Sequence, residues 1–405
     1  MIKGISALYC NLMRDFEGYS IGKMLKYLDD PSIISFAGGL PSGEMFPVEL
    51  VREAVENSLG DHAEEVLQYA PIPGDQALFD ALIAYLKKDN IHVSRENILI
   101  TTSGQHGLDL VGRLFLNPGD TIITDLPTFA GALVAFEMEA PQVVGVPIQR
   151  DGSDVEGMDA AIQDLISHGR KPKFIYVVPD FQNPSGITMS LPKREKLLKM
   201  SYRYNIPLVE DSPYRELRYL GEHLPSIYSM DREGGNVIGI YTFSKLFCPG
   251  LRVGCNIGPA EVMEKFAFIK GANILCTPKL NQDICTCFLT KFDLDTHFRK
   301  CQDFYRKKLN HFLDMMEKYF SPELGVQWTK PEGGLFLWIT VPEHVNTEAL
   351  FFDAIKEKVA FVPGNAFYPA GKEAFNTMRV NFSYSTMEQI EKGIARLAQV
   401  IRKKL

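Results

Sequence analysis

The sequence predicts an α/β fold, with a large domain built on a mainly parallel β-sheet and a smaller α+β domain. Three observations lead to this prediction. The chain has 405 residues, 45% of them hydrophobic, which is enough for one large core and a smaller one. From about residue 95, short apolar runs alternate with amphipathic stretches, as in a parallel sheet covered on both faces by helices. Near residue 275 this alternation ends, which indicates a second domain.

The elements of the large domain follow one another in a regular order. Strands are predicted where four to six mostly apolar residues run together, and helices where apolar residues recur at helical spacing. The predicted strands cover residues 97–102, 121–124, 174–178, 206–210 and 237–242. The predicted helices cover residues 105–115, 130–138 and 191–204.

The C-terminal part has a different pattern, because a long helical stretch comes first and strands with polar alternation follow. The predicted elements are a mostly helical stretch at 280–320, strands at 326–328 and 334–340, and a closing helix at 387–403. The predicted organisation is an N-terminal arm and part of the small domain at 1–45, the large domain at 46–285 and the C-terminal small domain at 286–405.

The composition argues against several classes of function. The formal net charge is −7 and no basic stripe stands out, so we expect no nucleic-acid partner. No run approaches the ~20 apolar residues that span a membrane, and no signal peptide is recognisable, so we expect a cytoplasmic protein. The seven cysteines are scattered, as free thiols of a reducing compartment would be. Neither they nor the eight histidines have the spacing of a metal site.

The segment with the strongest chemical signal is Tyr-Thr-Phe-Ser-Lys-Leu-Phe-Cys-Pro-Gly-Leu-Arg-Val-Gly at residues 241–254. It places Lys245 seven residues before Arg252, after an apolar run and beside hydroxyl side chains such as Thr242. A lysine that forms a Schiff base with a phosphorylated aldehyde needs an anion site beside it, and pyridoxal 5'-phosphate (PLP) is such an aldehyde. Read alone, these residues are more often a strand followed by an ordinary Pro-Gly turn. The hypothesis therefore depends on the rest of the chain.

Polar residues also follow other predicted strands, at the edge where ligands bind in open α/β sheets. Ser103-Gly104-Gln105 opens a helix, whose N–H groups and dipole attract an anion; a plain helix cap at Ser103 is the alternative. Asn183 precedes a proline, which favours an extended backbone and lets its amide reach out of the loop; a simple turn is the alternative.

Two charged residues complete the pattern. Asp211 ends an apolar run, and a buried carboxylate needs a partner such as a pyridinium nitrogen; a helix cap or Asx turn is the alternative. Tyr214, one turn further, could bind the phenolic oxygen of the same ring. Arg379 lies in an apolar strand and suits a carboxylate; a structural salt bridge is the alternative. Together these groups fit PLP acting on amino acids.

A series of ordered motifs carries a family resemblance. They are Ser-Phe-Ala-Gly-Gly-Leu-Pro at 35–41, Leu-Gln-Tyr at 67–69, Thr-Ser-Gly-Gln at 102–105, Phe-Gln-Asn-Pro-Ser-Gly at 181–186, Glu-Asp-Ser-Pro-Tyr at 210–214, Ser-Lys at 244–245 with Arg252, Gly-Gly-Leu-Phe-Leu-Trp at 333–338 and Val-Pro-Gly-Asn-Ala-Phe at 362–367. Over about residues 31–402 the chain resembles the class I and II aminotransferases of PLP-dependent fold type I. Within these it is most similar to the group of 2-aminoadipate, kynurenine and aromatic or branched-chain aminotransferases.

The resemblance implies a fold, a cofactor, an assembly and roles for single residues. The fold is the PLP-dependent transferase fold of type I, with a mostly parallel sheet of the seven-stranded type in its large domain. The assembly is a homodimer with shared active sites. The implied catalytic residues are Lys245 as the Schiff-base lysine and proton shuttle, Asp211 at the pyridine nitrogen, and Tyr214. The implied cofactor-binding residues also include Ser103, Gly104, Gln105, Thr242 and Arg252 at the phosphate, Asn183 with Tyr214 at the ring hydroxyl, Phe129 on the ring face, and Tyr69 of the partner subunit. The implied substrate-binding residues are Gly39, Asn183 and Arg379, the last for the α-carboxylate.

The chain departs from the family pattern at three places. Phe129 stands where a stacking tyrosine is usual, and Phe79 replaces an arginine in the loop that follows Tyr69. The N-terminal arm has no arginine near residues 19–21, and its nearest cations are Arg14 and Lys23. This last departure disfavours a distal carboxylate on the substrate and favours neutral or aromatic side chains.

The predicted function is a ping-pong aminotransferase. It would move the amino group of an aromatic, neutral or 2-aminoadipate-like L-amino acid to a 2-oxo acid such as 2-oxoglutarate. One alternative is another PLP reaction on the same scaffold, a lyase or a decarboxylase. A second is a transcription regulator with an aminotransferase-like domain, which needs a basic winged-helix module, whereas only about 38 residues precede Gly39. The apolar residues of the arm are expected to pack on the small domain, with a fold over the substrate pocket as the alternative; they are Phe16, Tyr19, Met24, Leu25 and Tyr27.

Overall fold

The structure is a computed structural model that describes residues 4–14, 30–61, 63–232, 234–369 and 373–405. The five apolar residues named for the N-terminal arm lie outside these ranges. The strands are β1 Ile34–Ser35, β2 Ile98–Thr101, β3 Thr121–Leu126, β4 Gln142–Pro147, β5 Ile175–Val177, β6 Leu208–Asp211, β7 Val237–Thr242, β8 Gly254–Ile257, β9 Gln327–Trp328, β10 Phe336–Thr340, β11 Val359–Ala360, β12 Val362–Pro363 and β13 Thr377–Asn381. The helices are α1 Asn11–Arg14, α2 Val48–Asp61, α3 Ala63–Val66, α4 Gln76–Lys87, α5 Ser103–Phe115, α6 Ala130–Glu137, α7 Val155–Ser167, α8 Leu191–Tyr204, α9 Ile227–Met230, α10 Ala260–Asn273, α11 Lys279–Lys291, α12 Leu294–Tyr319, α13 Thr347–Lys356 and α14 Met387–Arg402.

Seven strands form the central sheet, in the order β2-β8-β7-β6-β5-β3-β4. Strand β8 is antiparallel to its neighbours β2 and β7, and the other six strands share one direction. Residues 243–253 alone separate β7 from β8, which is too short for the helical crossover that a parallel neighbour requires. The predicted α/β fold with a mostly parallel sheet is confirmed.

Helices cover both faces of this sheet. Helices α5, α6 and α10 pack on one face through a core that contains Tyr176 and Val209. Helices α7 and α8 cover the other face through a core that contains Ile175, Val177 and Leu208. Because successive strand residues point to opposite faces, the side chain of Tyr176 lies on the α5 side of β5 while its two neighbours lie on the α7 side.

A second layer is built from the C-terminal part of the chain. Strands β12, β13, β10 and β9 form an antiparallel sheet in that order. Helices α12, α13 and α14 pack with it around a core that contains Phe312, Phe336 and Phe382. Phe36 belongs to the same core, since β1 pairs in parallel with β11. The predicted domain boundaries at residues 45 and 285 stay predictions.

The structure differs from the sequence prediction in the central sheet and in the long helical stretch that follows it. Strands β4 and β8 of the central sheet were not predicted, and neither were the short strands β1, β11 and β12. The helical stretch predicted at 280–320 consists of two helices, because Asp293 caps α12 by accepting a hydrogen bond from the Thr296 N–H. Within the described ranges, no helix combines the length and apolar character that crossing a bilayer requires.

Candidate active site

Four polar side chains meet where β7 ends and α5 begins. Arg252 donates from Nη2 to Ser103 Oγ, and from Nη1 to Ser244 Oγ at 3.4 Å. Thr242 donates from Oγ1 to the same Ser244 Oγ at 2.9 Å. The structure thus brings together three residues predicted for one anion site, Ser103, Thr242 and Arg252. Ser244 was not predicted as a site residue, and its position beside Lys245 was the signal available for it.

The backbone at this polar cluster suits an anion. Helix α5 begins at Ser103, and Thr102 before it provides no side-chain cap, so the cap that the sequence left open at Ser103 does not form. The first turn contains no acidic residue. Gly254 lets β8 approach this turn closely, since an added Cβ would lie 3.0 Å from the Ser103 carbonyl carbon and 3.2 Å from the Gly104 nitrogen. An uncapped helix start next to an arginine is a favourable place for a phosphate group.

Lys245 follows β7 and points toward the segment after β1. Its Nζ donates to the Gly39 carbonyl oxygen at 2.7 Å. Loss of hydration lowers the pKa of Lys245 to about 8, with smaller contributions from the positive charges of Arg379 and Arg252. A substantial fraction of this amine is therefore neutral near physiological pH, which a nucleophile or general base requires.

Asp211 is buried at the end of β6. Its Oδ2 accepts a hydrogen bond from the hydroxyl of Tyr176 at 2.8 Å, in place of the helix cap or Asx turn that the sequence left open. Burial raises the pKa of Asp211 to about 7, the Tyr176 hydrogen bond opposes this rise, and Glu210 adds to it. Tyr214 is buried nearby, and burial, followed by the Asp211 charge, raises its pKa well above the usual value. A buried carboxylate with one neutral partner suits a cationic ring nitrogen.

Arg379 is buried in β13 and has no carboxylate within 4.0 Å among the described residues. Nη1 donates to Asn183 Oδ1 at 3.0 Å and Nη2 to the Ala37 carbonyl oxygen at 2.6 Å, while Nε has no partner in the described structure. The guanidinium lies 4.4 Å from the ring centre of Phe336 and 5.0 Å from that of Phe367. Burial lowers the pKa of Arg379 to about 10. The structural salt bridge that the sequence left open is not formed in the described part of the chain.

The other predicted site residues are placed less directly. Gly39 lies between Lys245 and Phe336. A Cβ added to Gly39 would be 3.2 Å from the Cζ of Phe336. Gln105 donates to the Gly131 carbonyl oxygen at 2.7 Å instead of joining the Arg252 cluster, and the Phe129 ring lies over the same glycine. Tyr69 has 77% of its surface exposed, without a hydrogen bond to the cluster in the described chain.

Comparisons with known proteins decide the family. The model of the aminotransferase class I and II family matches residues 32–397. Aromatic-amino-acid aminotransferase 1 from Thermococcus litoralis is 39% identical over 386 residues, which is 95% of this chain and 92% of the relative. The chain belongs to the class I and II aminotransferases.

Two solved structures of this family resemble the chain closely. A kynurenine aminotransferase from Pyrococcus horikoshii, in complex with PMP, has a TM-score of 0.95 and 36% identity over 100% of this chain and 99% of its own. The α-aminoadipate aminotransferase from Thermus thermophilus, in complex with N-(5'-phosphopyridoxyl)-L-leucine, has a TM-score of 0.90 and 33% identity over 98% of each chain. The predicted fold-type I aminotransferase is confirmed, and with it the enzyme class.

As an aminotransferase, the enzyme uses pyridoxal phosphate and transfers an amino group between an amino acid and a 2-oxo acid. The residues present fit this cofactor and these substrates. The uncapped start of α5 beside Arg252 suits the phosphate, and the buried Asp211 suits the ring nitrogen. Arg379, a buried cation without a carboxylate in the described structure, suits the carboxylate that both substrates carry.

Proposed function

We propose that this aminotransferase takes an aromatic or neutral L-amino acid as its donor and a 2-oxo acid such as 2-oxoglutarate as its acceptor. One observation supports this most directly. Lys245 and Arg379 both donate to the segment after β1, at the carbonyl oxygens of Gly39 and Ala37, two residues apart. The amine and the guanidinium are therefore held near one another, as the α-amino and α-carboxylate groups of one substrate require.

The walls of this site support an aromatic or neutral side chain. Phe336 and Phe367 lie against the Arg379 guanidinium, and the ring of Tyr214 is edge-on to that of Phe336 at 6.0 Å. Aromatic rings pack favourably against other rings, whereas a distal carboxylate needs a further cation. The arm at residues 15–29 lies outside the described ranges, so a 2-aminoadipate-like donor stays a prediction.

We assign the residue roles as the resemblance implies them. PLP, when bound, supplies an aldehyde that takes up the substrate amine and a ring that withdraws electrons from the Cα–H bond. Lys245 Nζ would hold the cofactor, then take the proton from the substrate Cα and deliver it to the cofactor carbon that carried the aldehyde, so that the amino group stays with the cofactor. Asp211 keeps the ring nitrogen protonated. Arg379 binds the substrate α-carboxylate and thereby fixes the orientation of the Cα–H bond for removal of its proton. The remaining proposed ligands are Ser103, Gly104, Gln105, Thr242 and Arg252 for the phosphate, Asn183 and Tyr214 for the ring hydroxyl, Phe129 for the ring face, and Gly39 with Asn183 for the substrate.

A donor panel tests the proposed specificity. We expect phenylalanine or tyrosine to convert the PLP form to pyridoxamine phosphate with kcat/KM about tenfold or more above that for 2-aminoadipate, because a distal carboxylate would be buried unpaired. Absorbance of the cofactor follows the conversion, and 2-oxoglutarate should restore the PLP form. A preference for 2-aminoadipate would refute the specificity. Release of ammonia or carbon dioxide without pyridoxamine phosphate would instead favour a lyase or a decarboxylase.

We also propose a homodimer in which Tyr69 of the partner subunit reaches the phosphate. Support comes from an apolar surface: Leu67, Tyr69 and Phe268 have 74%, 77% and 79% of their surface exposed. Ile72 contacts helix α10, which carries both Phe268 and Gly271, because Ile72 Cδ1 would lie 3.2 Å from a Cβ added to Gly271. Such an exposed patch is typical of an interface.

Mixed dimers test the shared site. A dimer of one Tyr69→Ala subunit and one Lys245→Ala subunit would contain one site with both residues intact and one site with neither. We expect purified mixed dimers to regain about half of wild-type activity, while each parent variant stays well below it. If Tyr69 served its own subunit, both sites of the mixed dimer would be impaired and no activity would return.

The cytoplasmic location and the domain boundaries stay proposals, the former supported by seven free cysteines.

A further inference from the structure

A buried tyrosine lies directly behind Asp211. Tyr176 is the central residue of β5, and its hydroxyl donates to Asp211 Oδ2 on the neighbouring strand β6 at 2.8 Å. Within the described ranges this is the one side-chain partner of the Asp211 carboxylate. The other oxygen, Oδ1, thus stays available for a ligand.

Packing fixes the position of this hydroxyl. The ring of Tyr176 is buried and meets the ring of Phe136 edge-on, with 5.5 Å between centres and an interplanar angle of 78°. Phe136 in turn meets Phe174 edge-on at 5.1 Å. A hydroxyl held by such a core cannot follow a carboxylate that turns away, so it restricts the orientations of Asp211.

The electrostatics of the pair depend on few groups. Burial and the Asp211 charge raise the pKa of Tyr176 well above its usual value, with smaller contributions from Tyr214 and Asp125, so the phenol remains a donor at neutral pH. Glu210 is the charged neighbour that disfavours ionisation of Asp211, and the Tyr176 hydroxyl favours it. At neutral pH a carboxylate whose pKa is about 7 is close to half-protonated. The gain or loss of one hydrogen bond therefore changes its charge state substantially.

We propose that Tyr176 is a positioning residue for the cofactor: its hydroxyl occupies Asp211 Oδ2, aims Oδ1 at the ring nitrogen and favours the ionised carboxylate. This inference rests on the role of Asp211 proposed above. It adds a residue whose effect on the cofactor passes entirely through Asp211.

The test measures binding of pyridoxamine phosphate to the apoenzyme across pH, because this ligand binds without a covalent bond and without turnover. The variant is Tyr176→Phe, which keeps the ring that packs on Phe136. We expect its affinity at pH 7 to fall about tenfold, and the pH midpoint at which affinity is gained to rise by about one unit. The sign follows because removal of a donor to the ionised form raises the pKa of Asp211. Loosened packing alone would lower the affinity equally at every pH.

Two further variants separate the possible outcomes. Tyr241→Phe removes another buried tyrosine hydroxyl from the same sheet, one with no partner in the described structure, and should leave affinity and midpoint unchanged. Asp211→Asn should lower the affinity and abolish any further effect of Tyr176→Phe, as coupled residues do. If Asp211→Asn leaves binding unchanged, the ring-nitrogen assignment fails and the role of Tyr176 fails with it. If Asp211→Asn weakens binding but Tyr176→Phe keeps the wild-type midpoint, the role of Tyr176 alone is refuted.

Discussion

Replacement of Lys245 by alanine is expected to abolish covalent attachment of PLP and to lower turnover by about 10⁴-fold. The loss should be this large because one amine has two tasks, holding the cofactor and moving the proton at Cα. Absorbance of the covalently bound cofactor should disappear, while pyridoxamine phosphate should still bind through the Arg252 cluster. In the wild-type apoenzyme, the rate of covalent PLP uptake should rise with pH up to about 8, because the pKa of Lys245 is lowered to about 8 and only the neutral amine attacks.

Lys270 provides a matched control for this prediction. Lys270 is buried, burial lowers its pKa to about 8, the same value as for Lys245, and its Nζ donates to the Ile100 carbonyl oxygen at 2.8 Å. A Lys270→Met variant should keep the absorbance of bound PLP and most of the activity. A fully active Lys245→Ala enzyme, or loss of the PLP absorbance in Lys270→Met instead, would contradict the assignment.

Sequence analysis missed two strands of the central sheet, β4 and β8, for local reasons. Strand β4 contains Gly145 and ends at Pro147, residues that argue against a central strand, but β4 lies at the edge of the sheet where both are tolerated. Strand β8 contains Asn256, a polar residue in a buried run. The structure shows why it is accepted there: Asn256 Nδ2 donates to the Gly107 carbonyl oxygen of α5 at 3.2 Å.

The strand-end residues were predictable because parallel strands end at one edge of the sheet. From this rule alone, Lys245, Asp211 and the Ser103 turn were expected near one another. The contacts of Arg379 were not predictable in the same way, because they join β13 to Asn183 and Ala37, which are far apart in sequence. Tyr176 was missed for a related reason: it lies inside an apolar strand, and nothing in its local sequence indicates the carboxylate on the next strand.

The other large effect is expected at Arg379, where activity and stability should change in opposite directions. Arg379→Met should lower kcat/KM for amino donors by about 10³-fold, because the carboxylate loses a two-pronged, charge-assisted partner. The free energy of unfolding of the apoenzyme should rise by about 1 kcal/mol or more, since a buried cation without a carboxylate in the described structure is replaced by an apolar chain of similar length. Urea unfolding and steady-state kinetics measure the two effects.

Arg194 is the appropriate comparison, because it is also buried but is paired with a carboxylate. Its Nη2 lies 2.6 Å from Asp180 Oδ1, and its guanidinium also donates to the Pro225 carbonyl oxygen. Arg194→Met should therefore destabilise the fold by about 3 kcal/mol, because Asp180 would lose its nearest cation inside the protein. If both variants lost stability alike, Arg379 would be a structural arginine whose partners are those already seen at Asn183 and Ala37. If the two variants change the free energy of unfolding with opposite signs, burial of the Arg379 cation destabilises the fold, and its role is to bind the carboxylate of the substrate.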